Sequence, residues 1–176
     1  MIQRSRDLAG VVLAAGSGTR LRPLTIERPK ALCPVGTVPL VDLALARLEA
    51  HTGALAVNLH RGGDLLDEHL PAPVHRSWER PEALGTAGAL GALRPWIDGR
   101  DVVVTNADAW LGPGLDLGGF VADWDRARVR LLCTVDPVRG AFGDQRFCGV
   151  ALVPASMVAV LEPVPSGLYE VSWRQE

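Results

Sequence analysis

The stretch Leu8-Ala9-Gly10-Val11-Val12-Leu13-Ala14-Ala15, followed at once by Gly16-Ser17-Gly18-Thr19-Arg20-Leu21-Arg22-Pro23-Leu24-Thr25, decides the fold. Its first eight residues form an unbroken apolar run rich in valine and leucine, as expected of a strand covered on both faces. Gly16 and Gly18 then let the backbone turn sharply, and Pro23, Pro29, Pro34 and Pro39 forbid any long helix before Leu40. A strand over 8–15 thus delivers the chain into an extended loop of about twenty residues, a length that in a compact domain usually carries function.

Similar short runs recur downstream at 55–59 (LAVNL), 102–105 (VVVT), 129–135 (VRLLCTV) and 147–153. Segments with helical character separate them, at 40–50, 64–70, 86–97 and 117–127. Such alternation predicts an α/β fold with a mostly parallel central sheet, helices on both faces, and ligands at the carboxyl ends of the strands. A short helix is expected over 154–161. Beyond Glu162, Pro163, Pro165 and the polar ending read as a loop or loose tail.

The chain has 176 residues, 48% of them apolar, with 18 Lys and Arg against 20 Asp and Glu. That length suits one domain over 1–176, able to bury roughly 70% of its unfolded surface without a disulfide or structural metal. Cys33, Cys133 and Cys148 are odd in number and lack Cys-x-x-Cys spacing, which argues against an oxidised framework and a zinc knuckle. His51, His60, His69 and His75 show no ligand spacing either. The net charge of −2 lacks the basic footprint of a non-specific nucleic-acid binder. No apolar run approaches the ~20 residues that span a bilayer. A soluble, cytoplasmic protein with no nucleic-acid or membrane partner is the expectation, with the oligomeric state left open.

Charge is concentrated in the glycine loop. Arg20, Arg22, Arg28 and Lys30 fall within eleven residues that contain one acid, Glu27, giving a local charge of +3. At an effective dielectric near 20, a cation 4 Å from a phosphate oxygen gains roughly 4 kcal/mol before desolvation, so two or three such groups can hold a triphosphate. Lys30 is the only lysine in the chain, and an ammonium is a compact point charge where an arginine is a planar fork. The missing third glycine and the absence of a Gly-Lys-Ser/Thr ending count against the dinucleotide-binding and P-loop readings.

Two further segments bear on the chemistry, one at a predicted strand end and one at the start of a predicted helix. The strand at 102–105 runs into Asn106-Ala107-Asp108, where a carboxylate can hold Mg²⁺, a cation that takes one or two carboxylates and otherwise phosphate oxygens and water. Asp108 could instead cap the next turn. Glu82-Ala83-Leu84-Gly85-Thr86-Ala87-Gly88 opens the third helical segment, with Thr86 as the expected N-cap. Glu79 or Glu82 could accept from a base or ribose, or be a solvated loop charge.

Taken together, residues 13–25 with Pro29-Lys30 resemble the signature of the sugar-1-phosphate nucleotidyltransferases. The resemblance implies a Rossmann-like, three-layer α/β/α domain that joins a nucleoside triphosphate to a sugar 1-phosphate and releases pyrophosphate. It implies that Ala14, Ala15, Gly16, Ser17, Gly18 and Thr19 contact the nucleotide, that Arg20 and Lys30 hold phosphates, and that Asp108 binds the catalytic Mg²⁺. The turn with Glu82, Gly85 and Thr86 resembles the family's base-recognition turn. Asn106 is expected to orient Asp108 or touch ribose, and Asn58, within an Asn-Leu-His like that of muramate- and mannose-type members, is expected on the sugar side.

The likeness covers roughly 8–155 and leans toward guanylyl transfer to mannose 1-phosphate, with uridylyl transfer next. The family's Glu-Lys-Pro strand and its later aspartate, a second metal ligand, have no counterpart here, so the chain reads as truncated or compact at its C-terminus. Two other readings stay open: a catalytically inactive nucleotide-binding or regulatory domain of the same fold, and transfer to a cofactor precursor or choline phosphate.

Overall fold

A computed structural model describes residues 5–112 and 114–173. The apolar run becomes β1 (Ser5–Leu13), a central strand of a six-stranded sheet. Around it stand β4 (Thr52–Leu59), β5 (His75–Trp78), β6 (Asp101–Asn106), β7 (Arg130–Val135) and β8 (Gln145–Val153), in the order β5-β4-β1-β6-β8-β7. The pairs β5/β4, β4/β1 and β1/β6 are parallel, whereas β8 runs antiparallel to both β6 and β7. The expected mostly parallel sheet is therefore present, with one reversed strand.

Side chains alternate across this sheet with the period of two that a strand imposes. On one face Leu8, Val12, Val57, Leu59, Val103, Val150 and Leu152 pack against Val41, Ala44, Leu45 and Leu48 of α2 (Leu40–Glu49), Leu66 of α3 (Gly63–His69) and Leu117 of α5 (Leu117–Ala122). On the other, Ala9, Val11, Ala56, Val102, Val104, Ala151 and Val153 meet Ala87, Leu90, Leu93 and Ile97 of α4 (Gly85–Ile97) and Val158 of α6 (Ala155–Val158). Three layers result.

The proline-punctuated coil before α2 folds into short turns at Thr19–Leu21 and Lys30–Leu32, a single helical turn, α1 (Leu24–Glu27), and a small hairpin of β2 (Pro34–Val35) and β3 (Val38–Pro39). Connections from β1 and β4 lead leftward through α2 and α3; the one from β5 returns through α4, on the opposite face, to β6 at the right of β1. This reversal opens a crevice at the carboxyl ends of β1 and β6, the place where open α/β sheets bind ligands.

Three expectations need correction. The helix expected over 117–127 stops at Ala122, and Arg126 takes a left-handed φ of 59° that no helix accommodates. Thr86 is not an N-cap: α4 starts at Gly85 without a side-chain cap, and the N–H groups of Ala87 and Gly88 are satisfied by the carbonyl of Ser166 (3.0 and 3.4 Å). Nor is the segment 163–168 loose. It lies along α4, with Ser166 N–H bonded to Leu84 O at 2.9 Å and Leu168 buried at 2% exposure in the core. Residues 174–176 of the polar ending lie outside the described residues.

Candidate active site

Leu13, the last residue of β1, pairs with Asn58 on one side and Asn106 on the other, and its carbonyl accepts from Ala107 N–H at 2.9 Å. The glycine loop and the Asn106–Asp108 turn thus leave adjacent strands side by side. Between them lies a cleft of about 280 Å³ lined by Ala14, Gly16, Gly18, Arg20, Lys30 and Asp108 among others. A second hollow of about 230 Å³ shares Leu13, Gly16 and Asp108 with it and extends past Ala15, Asn58 and Asn106 to Gly85 and Thr86. The two form one trough across the switch point.

Gly18 shapes the cationic side of this trough. It adopts φ +61°, and a Cβ there would approach Thr25 Cγ2 at 2.9 Å and Lys30 Cβ at 3.0 Å. Thr25 Oγ1 donates to the Gly18 carbonyl at 2.8 Å, closing the loop upon itself. Lys30 Nζ in turn donates to Asp108 Oδ2, joining residues 78 positions apart. Gly18→Ala is expected to lower stability by roughly 1–2 kcal/mol, the cost of a Cβ in the left-handed region, and to displace Lys30. Urea denaturation measures the first, and loss of nucleotide-induced thermal stabilisation the second.

The predicted site residues separate into two groups. Ala14, Gly16, Ser17, Gly18, Thr19, Arg20, Lys30 and Asp108 line the first cleft, and Ala15, Gly85, Thr86 and Asn106 line the second. Glu82 is exposed and lines neither. Asn58 touches the second hollow but spends its amide internally, on the N–H groups of Ala14 and Ala15 and on Glu79. Glu79 is 1% exposed and equally committed, so it is neither a solvated loop charge nor a free acceptor for a base.

Arg47 was not legible as a site residue. From α2 its guanidinium reaches Ala109 O at 3.0 Å and Thr105 Oγ1 at 3.4 Å, bracing the turn that carries Asp108. Burial pulls its pKa below the usual guanidinium value. A signal existed: Arg47 stands three residues after buried Ala44 and beside Leu48, on the apolar stripe of α2.

The donor set at Asp108 suits Mg²⁺. Its side chain is 39% exposed toward a cleft also lined by the cations Arg20 and Lys30, and Mg²⁺ is commonly held by one or two carboxylates plus substrate oxygens. Among the described residues no group of three or more His, Cys, Asp or Glu could form an all-protein cage. No helix among them is long and apolar enough to cross a membrane.

The chain is similar to known proteins in sequence and in fold. Residues 9–141 match the model of the nucleotidyl transferase family. An N-acetylmuramate α-1-phosphate uridylyltransferase from Caulobacter vibrioides is 38% identical over 130 residues, 68% of this chain and 54% of that protein. A UTP–glucose-1-phosphate uridylyltransferase from Haloferax volcanii is 36% identical over 99 residues, covering 52% and 40%. In fold, a Bacillus anthracis structure provisionally assigned as a glucose-1-phosphate thymidylyltransferase superposes with a TM-score of 0.69 at 19% identity, over 86% of this chain and 73% of that one. The chain spans about half the length, or less, of these two sequence relatives. With the family model matched over most of its residues and the glycine loop, Lys30 and Asp108 gathered at the sheet's switch point, the chain belongs to the nucleotidyl transferase family, that of the sugar-1-phosphate nucleotidyltransferases.

Proposed function

We propose that this protein transfers a nucleotidyl group from a nucleoside triphosphate to a sugar 1-phosphate and releases pyrophosphate. The observation that carries this reading is the convergence of Arg20, Lys30 and Asp108 with the glycine loop on one cleft. In-line attack by a sugar-phosphate oxygen on the α-phosphorus calls for little proton transfer; positioning and charge neutralisation do most of the catalysis. Arg20 and Lys30 would neutralise the phosphates, and the N–H groups of residues 16–19 would approach them closely. Asp108, with Asn106 beside it, would hold Mg²⁺, which when bound supplies Lewis-acid neutralisation of phosphate oxygens. In this role Lys30 exchanges Asp108 for phosphate when the nucleotide arrives.

For the donor we favour UTP, because the two sequence relatives are named as uridylyltransferases; GTP comes second. The acceptor would be a sugar 1-phosphate of the N-acetylmuramate or glucose type, ahead of mannose 1-phosphate. The test is a panel of UTP and GTP against N-acetylmuramate, glucose and mannose 1-phosphates with Mg²⁺, read by coupled pyrophosphate detection. Release with one pair is the expected result. Nucleotide-induced thermal stabilisation without release from any pair would instead leave a binding domain that has lost transfer.

A further inference from the structure

At the carboxyl ends of β4 and β5, two polar side chains are shut away from solvent: Asn58 is 3% exposed and Glu79 1%. Burying an amide beside a carboxyl is costly unless their hydrogen bonds are made. Here they are. Asn58 Oδ1 accepts from the backbone N–H groups of Ala14 (2.6 Å) and Ala15 (3.3 Å), and Nδ2 donates to Glu79 Oε1 at 2.7 Å. Glu79 Oε2 accepts from Leu84 N–H at 2.7 Å. Its backbone is held too, the N–H by Leu59 O (2.8 Å) and the carbonyl by His60 Nδ1 (3.0 Å).

The location gives this chain of bonds its meaning. The ladder of β1 on β4 ends at Leu13 opposite Asn58, and that of β4 on β5 ends at Leu59 opposite Trp78. Past those points the strand pairing ends, and the two side chains continue the bonding. One end grips the two residues before Gly16; the other grips the residue before Gly85. An apolar pair of equal volume would fill the space but leave three N–H groups orphaned.

We propose that Asn58 and Glu79 are positioning residues that form a buried strut between the glycine loop and the turn that opens α4. Resting on the nucleotidyl-transfer reading above, the strut fixes the separation between the polyphosphate and nucleobase ends of a bound nucleoside triphosphate. Neither side chain needs to touch the ligand to do so.

The test reverses the polarity of the strut. In Glu79→Gln one acceptor becomes an NH₂ group at unchanged volume, so the bond from either Asn58 or Leu84 is lost. Adding Asn58→Asp restores every bond with donor and acceptor exchanged. The carboxylate introduced by N58D accepts from Ala14, Ala15 and the new amide introduced by E79Q, while that amide's oxygen accepts from Leu84.

Dissociation constants are measured by calorimetry with Mg²⁺ for UTP, GTP and inorganic triphosphate. For E79Q the tighter-binding nucleotide is expected to weaken about tenfold, as when a buried hydrogen bond is lost, while inorganic triphosphate, which does not reach the turn that opens α4, changes less than about twofold. The double variant is expected to recover nucleotide binding to within about threefold of wild type. Equal weakening for nucleotide and inorganic triphosphate, no weakening at all, or no recovery in the double variant overturns the strut. If E79Q is too unstable to assay, the double variant decides alone by the same threefold criterion. A wild-type protein that binds neither nucleotide defeats the nucleotidyl-transfer reading itself, and the strut with it.

Discussion

Pyrophosphate release is expected to fall by two to three orders of magnitude in Asp108→Asn, with the thermal midpoint nearly unchanged. The two halves of this expectation have separate causes. Asp108 is 39% exposed and pairs with Lys30, itself 25% exposed; such a solvent-screened pair contributes at most about 1 kcal/mol to stability. Its removal leaves the core intact. Catalysis is a different matter, because phosphoryl chemistry depends on charges fixed where charge develops, and loss of one such group typically costs about 10²–10³ in rate. Asn keeps the shape of the side chain and gives up the charge that would hold Mg²⁺ against the phosphates. The comparison is of kcat at saturating Mg²⁺ and nucleotide beside a thermal melt of each protein. Retention of more than about a tenth of the wild-type kcat would show that Asp108 lies beside the reaction rather than in it.

The largest effect on stability is expected at Gly88, far from any reacting group. Alanine is the better helix former by about 1 kcal/mol, and in an open helix Gly88→Ala would stabilise. In α4 a Cβ at this position would lie 2.2 Å from the backbone carbonyl oxygen of Val164 and 2.9 Å from Leu84 Cβ. A backbone carbonyl cannot rotate out of the way as a side-chain tip can. Residues 162–168 would have to lift, stretching the Ser166 bonds to Ala87 and Gly88 and exposing Leu168. Overpacking of this kind and the loss of one buried leucine together cost roughly 3 kcal/mol net. For a chain of this size that is a Tm lower by roughly 6–12 °C, measured by calorimetry. A Tm equal to or above that of the wild type would mean that the C-terminal segment does not press on α4.

Much of this arrangement was legible because the decisive elements are buried on both faces and therefore apolar without interruption. β1, β6 and the middle of β4 announce themselves in that way, and the glycine loop does so through its cations and prolines. What escaped reading is what depends on partners distant in sequence. β5 has four residues, His-Arg-Ser-Trp, with too little apolar character to stand out from a loop. The reversed direction of β8 leaves no mark on its own residues, since a buried strand reads alike in either sense. Thr86 has the chemistry of a cap, yet the cap is a carbonyl eighty residues downstream. Asn58 and Glu79 carry polar atoms fit for a ligand, and only the fold shows that those atoms bond each other and the backbone.

The Ser166 carbonyl has one more effect. By occupying two of the N–H groups at the start of α4 it blunts the partial positive charge that a bare helix end would present. One rim of the trough is thereby electrically quiet while the opposite rim, with Arg20 and Lys30, remains attractive to anions. A molecule with a densely charged tail and a flat neutral head would meet a floor with its own compass and lie along it in a single sense, tail toward Arg20.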